Sequence, residues 1–332
     1  MTTIKDVARE AGVSVATVSR VFNGSGPVSD VTRKRIEAVA ATLRYVPHGG
    51  ARSLITNRTS TVGVLLPHLY GEFFSEVIRG MDQAAQRHGY HLLLSSSHDD
   101  RAEIESAMRA MRGRVDGLLV MSPHVDSSAL VANVPPRLPV MLLNSGSAVR
   151  DVDTLSIDNE AGARLVVRHL IELGHRRIAI IRGADDNFDA AERVRGYRRA
   201  LQQAGIPAEP SLEIGGDFTE ASGHQAAMTL FAGDFTPTAI FASNDSMAFG
   251  AMSALRELGR SVPRDVAVAG FDDIPLARFM NPPLTTVHVA IAELGARGVE
   301  TLVRAIARGE RHVPGHNRLE TTLVVRQSCG SR

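Results

Sequence analysis

The chain is short of cysteine and lysine and has no long apolar run. Cys329 is the single cysteine among 332 residues, so no disulfide closes within the chain. A lone thiol this close to the end reads as a bland tail residue rather than a nucleophile. No stretch of 18 or more apolar residues occurs, so no membrane-spanning helix is expected. The N-terminus, MTTIKDVARE, is charged where a secretion signal needs an apolar segment, and the protein is expected to stay in the cytoplasm. Lys5 and Lys34 are the only lysines. The body therefore cannot form a lysine Schiff base and has no GxxxxGK phosphate loop. HExxH and paired CxxC signatures are missing too, so no metal and no cofactor is expected. Short internal repeats and low-complexity segments are also absent.

What is present is unevenly charged. Through residue 60 the basic residues are Lys5, Arg9, Arg20, Arg33, Lys34, Arg35, Arg44, Arg52 and Arg58, against the acids Asp6, Glu10, Asp30 and Glu37. The remainder carries 28 basic against 32 acidic groups. A basic head on a mildly acidic body points to a head that meets a polyanion. At 332 residues the chain exceeds one ordinary core, so two or three units are expected.

The first 46 residues read as three short helices. Thr3 can cap the first, where Ile4, Val7, Ala8 and Ala11 form an apolar stripe and Gly12 ends it. Ser14 caps the second, with Val18, Val21 and Phe22 inward. Ser29 or Asp30 opens the third, with Val31, Ile36, Val39, Ala40 and Leu43 as its buried face. A helix, a glycine-containing turn and a second helix match helix-turn-helix spacing, although such pairs also occur as plain core. Residues 47–60 read as a linker, since Pro47 and Gly49-Gly50 disfavour a stable helix before ARSL.

From Thr61 the rhythm becomes strand–helix alternation. Strand-like runs are TVGVLLP, YHLLLSS, GLLVMS, PVMLLN and TLSID, then RIAIIRG, SLEIGGDF, AIFASN and VAVAGFDD. Nearly continuous apolar strands between helices imply parallel sheets covered on both faces. Two successive sets imply two doubly wound lobes. Ligands of such sheets sit beyond the strand C-termini, in the cleft between lobes. The strand ends here carry His68, Phe73, Phe74, Ser122, Asn144, Ser145, Asp185, Phe218, Asn244 and Asp272, with Arg193 on a following helix. A carboxylate, a guanidinium and an amide among aromatic faces suit a polyhydroxylated ring. Aromatic residues at strand ends serve equally often as core. Asp158 is expected to cap a strand-to-helix turn rather than bind ligand.

IKDVAREAGVSVATVSRVFN and its continuation to ARSL resemble the N-terminus of the LacI family of bacterial transcription repressors. The body continues the resemblance in GHRRIAIIRG, ERVRGYRRAL, ASNDSMAFGAM and VAGFDDIPLARFMNPPLTTV. It implies an all-α helix-turn-helix DNA-binding domain over residues 1–46 and a hinge over 47–60. It further implies an α/β core of two doubly wound parallel-sheet lobes, like periplasmic binding proteins. The N-terminal lobe would take 61–158 plus about 288–320, and the C-terminal lobe 159–287 plus about 321–332.

On that reading Val15, Ala16 and Arg20 meet bases, Arg20 reaching a guanine in bidentate fashion. Thr3, Ser14, Thr17 and Ser19, with Asn23 and Tyr45, bond the phosphate backbone, which positions rather than specifies. The family's hinge-helix wedge falls on Leu54, with Ala51 and Arg52 beside it. Arg193, Asn244 and Asp272 occupy family effector positions, while Ser145 stands where the purine-binding member has a large aromatic. The resemblance thus implies a homodimeric repressor on a pseudo-palindromic duplex operator, controlled by a small sugar-type effector. A purine-responsive repressor is the alternative. A transport-binding protein would lack the basic head, and adjacent Asp272 and Asp273 make a poor acid/base pair for an enzyme.

Overall fold

The computed structural model describes residues 2–23, 26–45, 58–98, 100–122, 134, 138–145, 151–233 and 235–330. The side chains of Asn23 and Glu310 fall outside this set. The chain divides into two compact units, Met1–Thr61 and Val62–Arg332.

The first unit is built on α1 (Ile4–Glu10), α2 (Val15–Asn23) and α3 (Asp30–Thr42). At the start of α1 the Thr3 backbone N–H donates to Asp6 Oδ2 at 3.0 Å and the Thr3 hydroxyl donates to the same oxygen at 2.8 Å. Gly12, at φ 63°, lets the chain turn after α1 as only glycine does cheaply. The Ser14 hydroxyl accepts from the Thr17 backbone N–H at 3.1 Å, which caps α2. Ser29 caps α3 by accepting from Thr32. Val7, Ala8, Ala11, Val18, Val21, Ile36 and Ala40 form the core, with Ile4, Phe22, Val39 and Leu43 packed against it. Val31 departs from its expected place: it is 80% exposed, because it falls in the first turn of α3, ahead of the stripe formed by Ile36 and Ala40.

The second unit contains two six-stranded sheets. The first has the order β11-β5-β4-β3-β1-β2. Its strands are β1 (Thr61–Leu66), β2 (His91–Ser96), β3 (Gly117–Met121), β4 (Val140–Leu143), β5 (Asp153–Ile157) and β11 (His316–Leu319). The second has the order β12-β10-β9-β8-β6-β7. It comprises β6 (Ile178–Ile181), β7 (Glu213–Ile214), β8 (Ala239–Ala242), β9 (Ala267–Asp272), β10 (Thr285–His288) and β12 (Thr322–Val324). Parallel pairing joins β1, β3, β4, β5 and β11, and again β7, β6, β8, β9 and β10. β12 runs antiparallel to β10. The chain thus crosses between sheets three times: after β5, after β10, and between β11 and β12.

Helices cover these sheets: α4 (Glu72–Arg87), α5 (Arg101–Met111), α6 (Asn159–Glu172), α7 (Phe188–Gln203), α8 (Glu220–Ala232), α9 (Asp245–Glu257) and α10 (Ile291–Arg308). The central strands β3, β6, β8 and β9 are buried at every residue, as double-sided cover requires. Three helix pairs close on glycine. A Cβ on Gly80 of α4 would stand 1.8 Å from the Ala292 carbonyl oxygen of α10, and one on Gly250 of α9 would stand 1.9 Å from the Glu220 oxygen of α8. Gly196 of α7 similarly meets the Glu160 oxygen of α6 at 2.3 Å. Cys329 is buried, its sulfur 3.0 Å from Thr285 Oγ1 and 3.3 Å from His169 Nε2. Among the described residues no helix is long and apolar enough to cross a membrane, and no group of three or more histidine, cysteine or acidic side chains could hold a metal.

Candidate effector cleft and nucleic-acid face

Between the sheets, at the C-terminal ends of their strands, lies a cleft of about 470 Å³, within the range of ordinary small-molecule sites. One wall is aromatic. Phe73 and Phe74, in the first turn of α4, meet edge to face with centroids 5.4 Å apart, and His68 stands edge-on to Phe74 at 5.9 Å. Asn144, just past β4, lines the same side. The opposite wall comes from the second sheet and offers Arg193, Phe218, Asn244 and Asp272 together with Asn187, Asp189, Asp217, Thr219, Glu220 and Ser246.

Arg193 and Asp272 form the polar floor. Their side chains are 5% and 7% exposed, and Arg193 Nη2 lies 3.5 Å from Asp272 Oδ1, close enough for an ion pair but outside hydrogen-bond geometry. Arg193 Nε donates to Asn159 at 2.8 Å, Nη1 donates to the Ser243 carbonyl, and the guanidinium lies 3.9 Å over the Phe271 ring. Burial, partly offset by Arg193, pushes the Asp272 carboxyl up to about 7. Neighbouring Asp245 is fully buried and its carboxyl is also raised, by burial and then by Asp272. Asp245 accepts from the Thr286 hydroxyl at 2.5 Å and the Ile274 N–H at 2.9 Å, which fixes the turn after β9.

Local backbone conformation aims these groups. Asn144, Phe218 and Asp272 all lie at positive φ, 45°, 71° and 108°, a cost concentrated at one site. Asn187, Thr219 and Asn244 each cap the helix they precede, α7, α8 and α9, so three helix N-termini converge on the cleft. Asn244 also donates its amide to the Phe218 carbonyl at 2.9 Å, holding that strained residue. Gly183 makes room for it: a Cβ there would stand 2.1 Å from Phe218 Cζ.

Of the residues expected from the sequence, Phe73, Phe74, Asn144, Arg193, Phe218, Asn244 and Asp272 line the cleft, and so does His68. Ser122 and Ser145 do not. Ser122 follows the lining residue Met121 at the end of β3, where successive side chains point apart, and Ser145 follows Asn144, whose left-handed backbone turns the chain. Among the described residues neither buried hydroxyl has a hydrogen-bond partner. Asp185 stays outside, exposed and 3.0 Å from Arg182. Asp158 caps α6 through the Ala161 N–H. Asp189, Asp217, Thr219 and Glu220 were missed by sequence reasoning. Their signal was legible, since each sits in the cap or first turn of a helix that follows a strand, or just before it.

In the first unit α2 presents Ser14, Val15, Ala16 and Arg20 to solvent, with Thr17 and Ser19 half-buried. Val15 is 41% exposed, too open to be a core residue. Thr3 is exposed, although its hydroxyl is engaged with Asp6. Tyr45 is half-buried and packs edge-on against Phe22 at 5.7 Å, so its ring belongs to the small core. Asn23 ends α2, and its side chain lies outside the described residues, as do Ala51, Arg52 and Leu54.

Comparison with known proteins decides the family. Residues 3–48 match the model described as bacterial regulatory proteins, lacI family, and residues 167–329 match a periplasmic binding protein-like domain. The ribose operon repressor of Escherichia coli (strain K12) is 37% identical over 311 residues, covering 93% of this chain and 94% of the relative. The chain belongs to the LacI family. The HTH-type transcriptional repressor PurR of Haemophilus influenzae (strain PittEE) is 34% identical over 335 residues, 100% of this chain and 99% of that one. The solved lac repressor dimer, bound to operator and the anti-inducer ONPF, superposes with a TM-score of 0.91 at 32% identity, covering 99% of both chains. LacI-family membership makes the chain a transcription repressor and not an enzyme. It also accounts for the two doubly wound sheets and the helical head.

Proposed function

We propose that this LacI-family member is a sugar-responsive repressor of a carbohydrate operon, acting on DNA in the cytoplasm as a homodimer. The observation that carries the sugar reading is the pairing of a buried Arg193–Asp272 floor with aromatic walls from Phe73, Phe74 and Phe218. Paired hydroxyls bond the floor, and the apolar C–H faces of a sugar ring lie against the rings. The relative named for the ribose operon supports a carbohydrate signal. The lac repressor dimer on its operator supports the assembly. In this chain β2 is an edge strand with Leu93 and Leu94 more than a third exposed, an apolar strip that pairing would cover.

Operator reading falls to α2. Small Val15 and Ala16 let the helix approach the bases, Arg20 reads a guanine, and Ser14, Thr17, Ser19, Thr3, Asn23 and Tyr45 serve the backbone. Ala51, Arg52 and Leu54 form the hinge element that bends the duplex. Residues 1–46, 47–60 and the two core lobes are the working parts. Sugar binding shifts the lobes and changes operator affinity through a coupling of typically about 1–3 kcal/mol.

The test is selection of duplex fragments from the source genome by the purified full chain, with and without a panel of sugars. A pseudo-palindromic fragment should be retained, and one sugar should change its retention at least fivefold. A protein that retains no fragment under any condition would refute the reading.

A further inference from the structure

The inference rests on the sugar-repressor reading and concerns which form of sugar the cleft admits. Among the described residues five carboxylates line the cleft, Glu72, Asp189, Asp217, Glu220 and Asp272, against one arginine, Arg193. That arginine is already committed. Nε and Nη1 donate to Asn159 and to the Ser243 carbonyl, and Nη2 faces Asp272. Its donors are engaged inside the protein, and few are left for an incoming anion.

The hydrogen-bonding capacity points the same way. Asp189 accepts from Asn159 at 2.9 Å, Asp217 from Thr219 at 2.6 Å, and Glu220 from Ser246 at 2.6 Å. Asp272 differs: its side chain is more than nine-tenths buried, it lines the cleft, and among the described residues its Oδ1 accepts no hydrogen bond. A buried acceptor without a donor is costly, and a ligand that supplies one relieves the cost. Sugar hydroxyls are donors. A phosphate monoester carries a charge of about −1.5 to −2 at neutral pH and presents chiefly acceptor oxygens. In this cleft it meets five carboxylates and gives Asp272 nothing.

We infer that the effector is an unphosphorylated, hydroxyl-rich sugar, and that the acidic wall centred on Asp272 excludes the phosphate esters of the same sugar. The repressor accordingly senses the sugar ahead of any kinase-type step that phosphorylates it, and the product of that step is silent.

Calorimetric titration of the full chain with ribose and ribose 5-phosphate, and with glucose and glucose 6-phosphate, tests this. At least one free sugar should bind, and tenfold or more tighter than its ester. An ester that binds within tenfold of its parent, or tighter, overturns the inference and leaves the sugar reading standing. If neither sugar of the panel binds in either form, the inference falls together with its sugar premise. Asp272→Asn keeps the shape and removes the charge, so it should narrow the ratio at least fivefold, and an unchanged ratio overturns the role given to Asp272. Should that variant not fold, Glu220→Gln with Glu72→Gln lowers the cleft's negative charge at exposed positions on both walls and should narrow the ratio in the same direction.

Discussion

Asp272 is held where its charge is expensive, and that sets how the cleft responds to pH. Arg193 and Asp189 act on it directly, and it in turn presses on buried Asp245. With the Asp272 carboxyl near 7, the proton stays on below that pH. Sugar hydroxyls favour the ionised form, so binding expels the proton. Effector affinity should therefore rise with pH up to about 7, by as much as about tenfold per pH unit, and level off above. Calorimetry in buffers of different ionisation enthalpy reads the released proton directly; affinity that falls over this range would contradict the assignment. Gly183→Ala tests the seat of Phe218: the added methyl displaces the ring, and effector affinity should drop about tenfold with operator affinity held. In the head, Arg20→Ala should cost about 1–3 kcal/mol of discrimination between operator and mismatched duplex, measured by fluorescence anisotropy. Residue types at strand ends were legible in the sequence because apolar runs stop abruptly at Asn144, Asn244 and Asp272. Whether a given strand-end side chain faces the cleft was not legible. Ser122 shows why: beside Met121 at the end of β3, a one-residue step reverses direction.

Among the elements, the strands buried on both faces, β3, β6, β8 and β9, were the easiest to read, since nothing polar interrupts them. β10, β11 and β12 went unseen. They are three or four residues long, carry Thr, His, Asn and Arg, and exist because the chain recrosses between sheets rather than because of their own pattern. β7 was over-read from SLEIGGDF: only Glu213–Ile214 pair, and Gly215 and Gly216 end the strand early. The glycines inside helices are contact points. Gly80→Ala would push α4 and α10 apart at a backbone contact no side-chain rotation relieves. It should destabilise by about 1–3 kcal/mol and lower the calorimetric melting midpoint by several degrees.

For the whole molecule, the basic head and acidic body were readable from charge counts alone, and two sheet-based lobes from the two series of apolar runs. The interleaving of the lobes was not, because it depends on long-range returns of the chain. That interleaving joins the two sheets through three covalent crossovers. The left-handed backbone at Asn144, Phe218 and Asp272 has a bearing on engineering. Replacing any of the three with a β-branched residue would strain the main chain as well as alter the contact. Phe73 and Phe74 stand on an ordinary helix with no such penalty, and a library meant to retune this sensor toward a new sugar should be drawn there, leaving the contorted trio untouched.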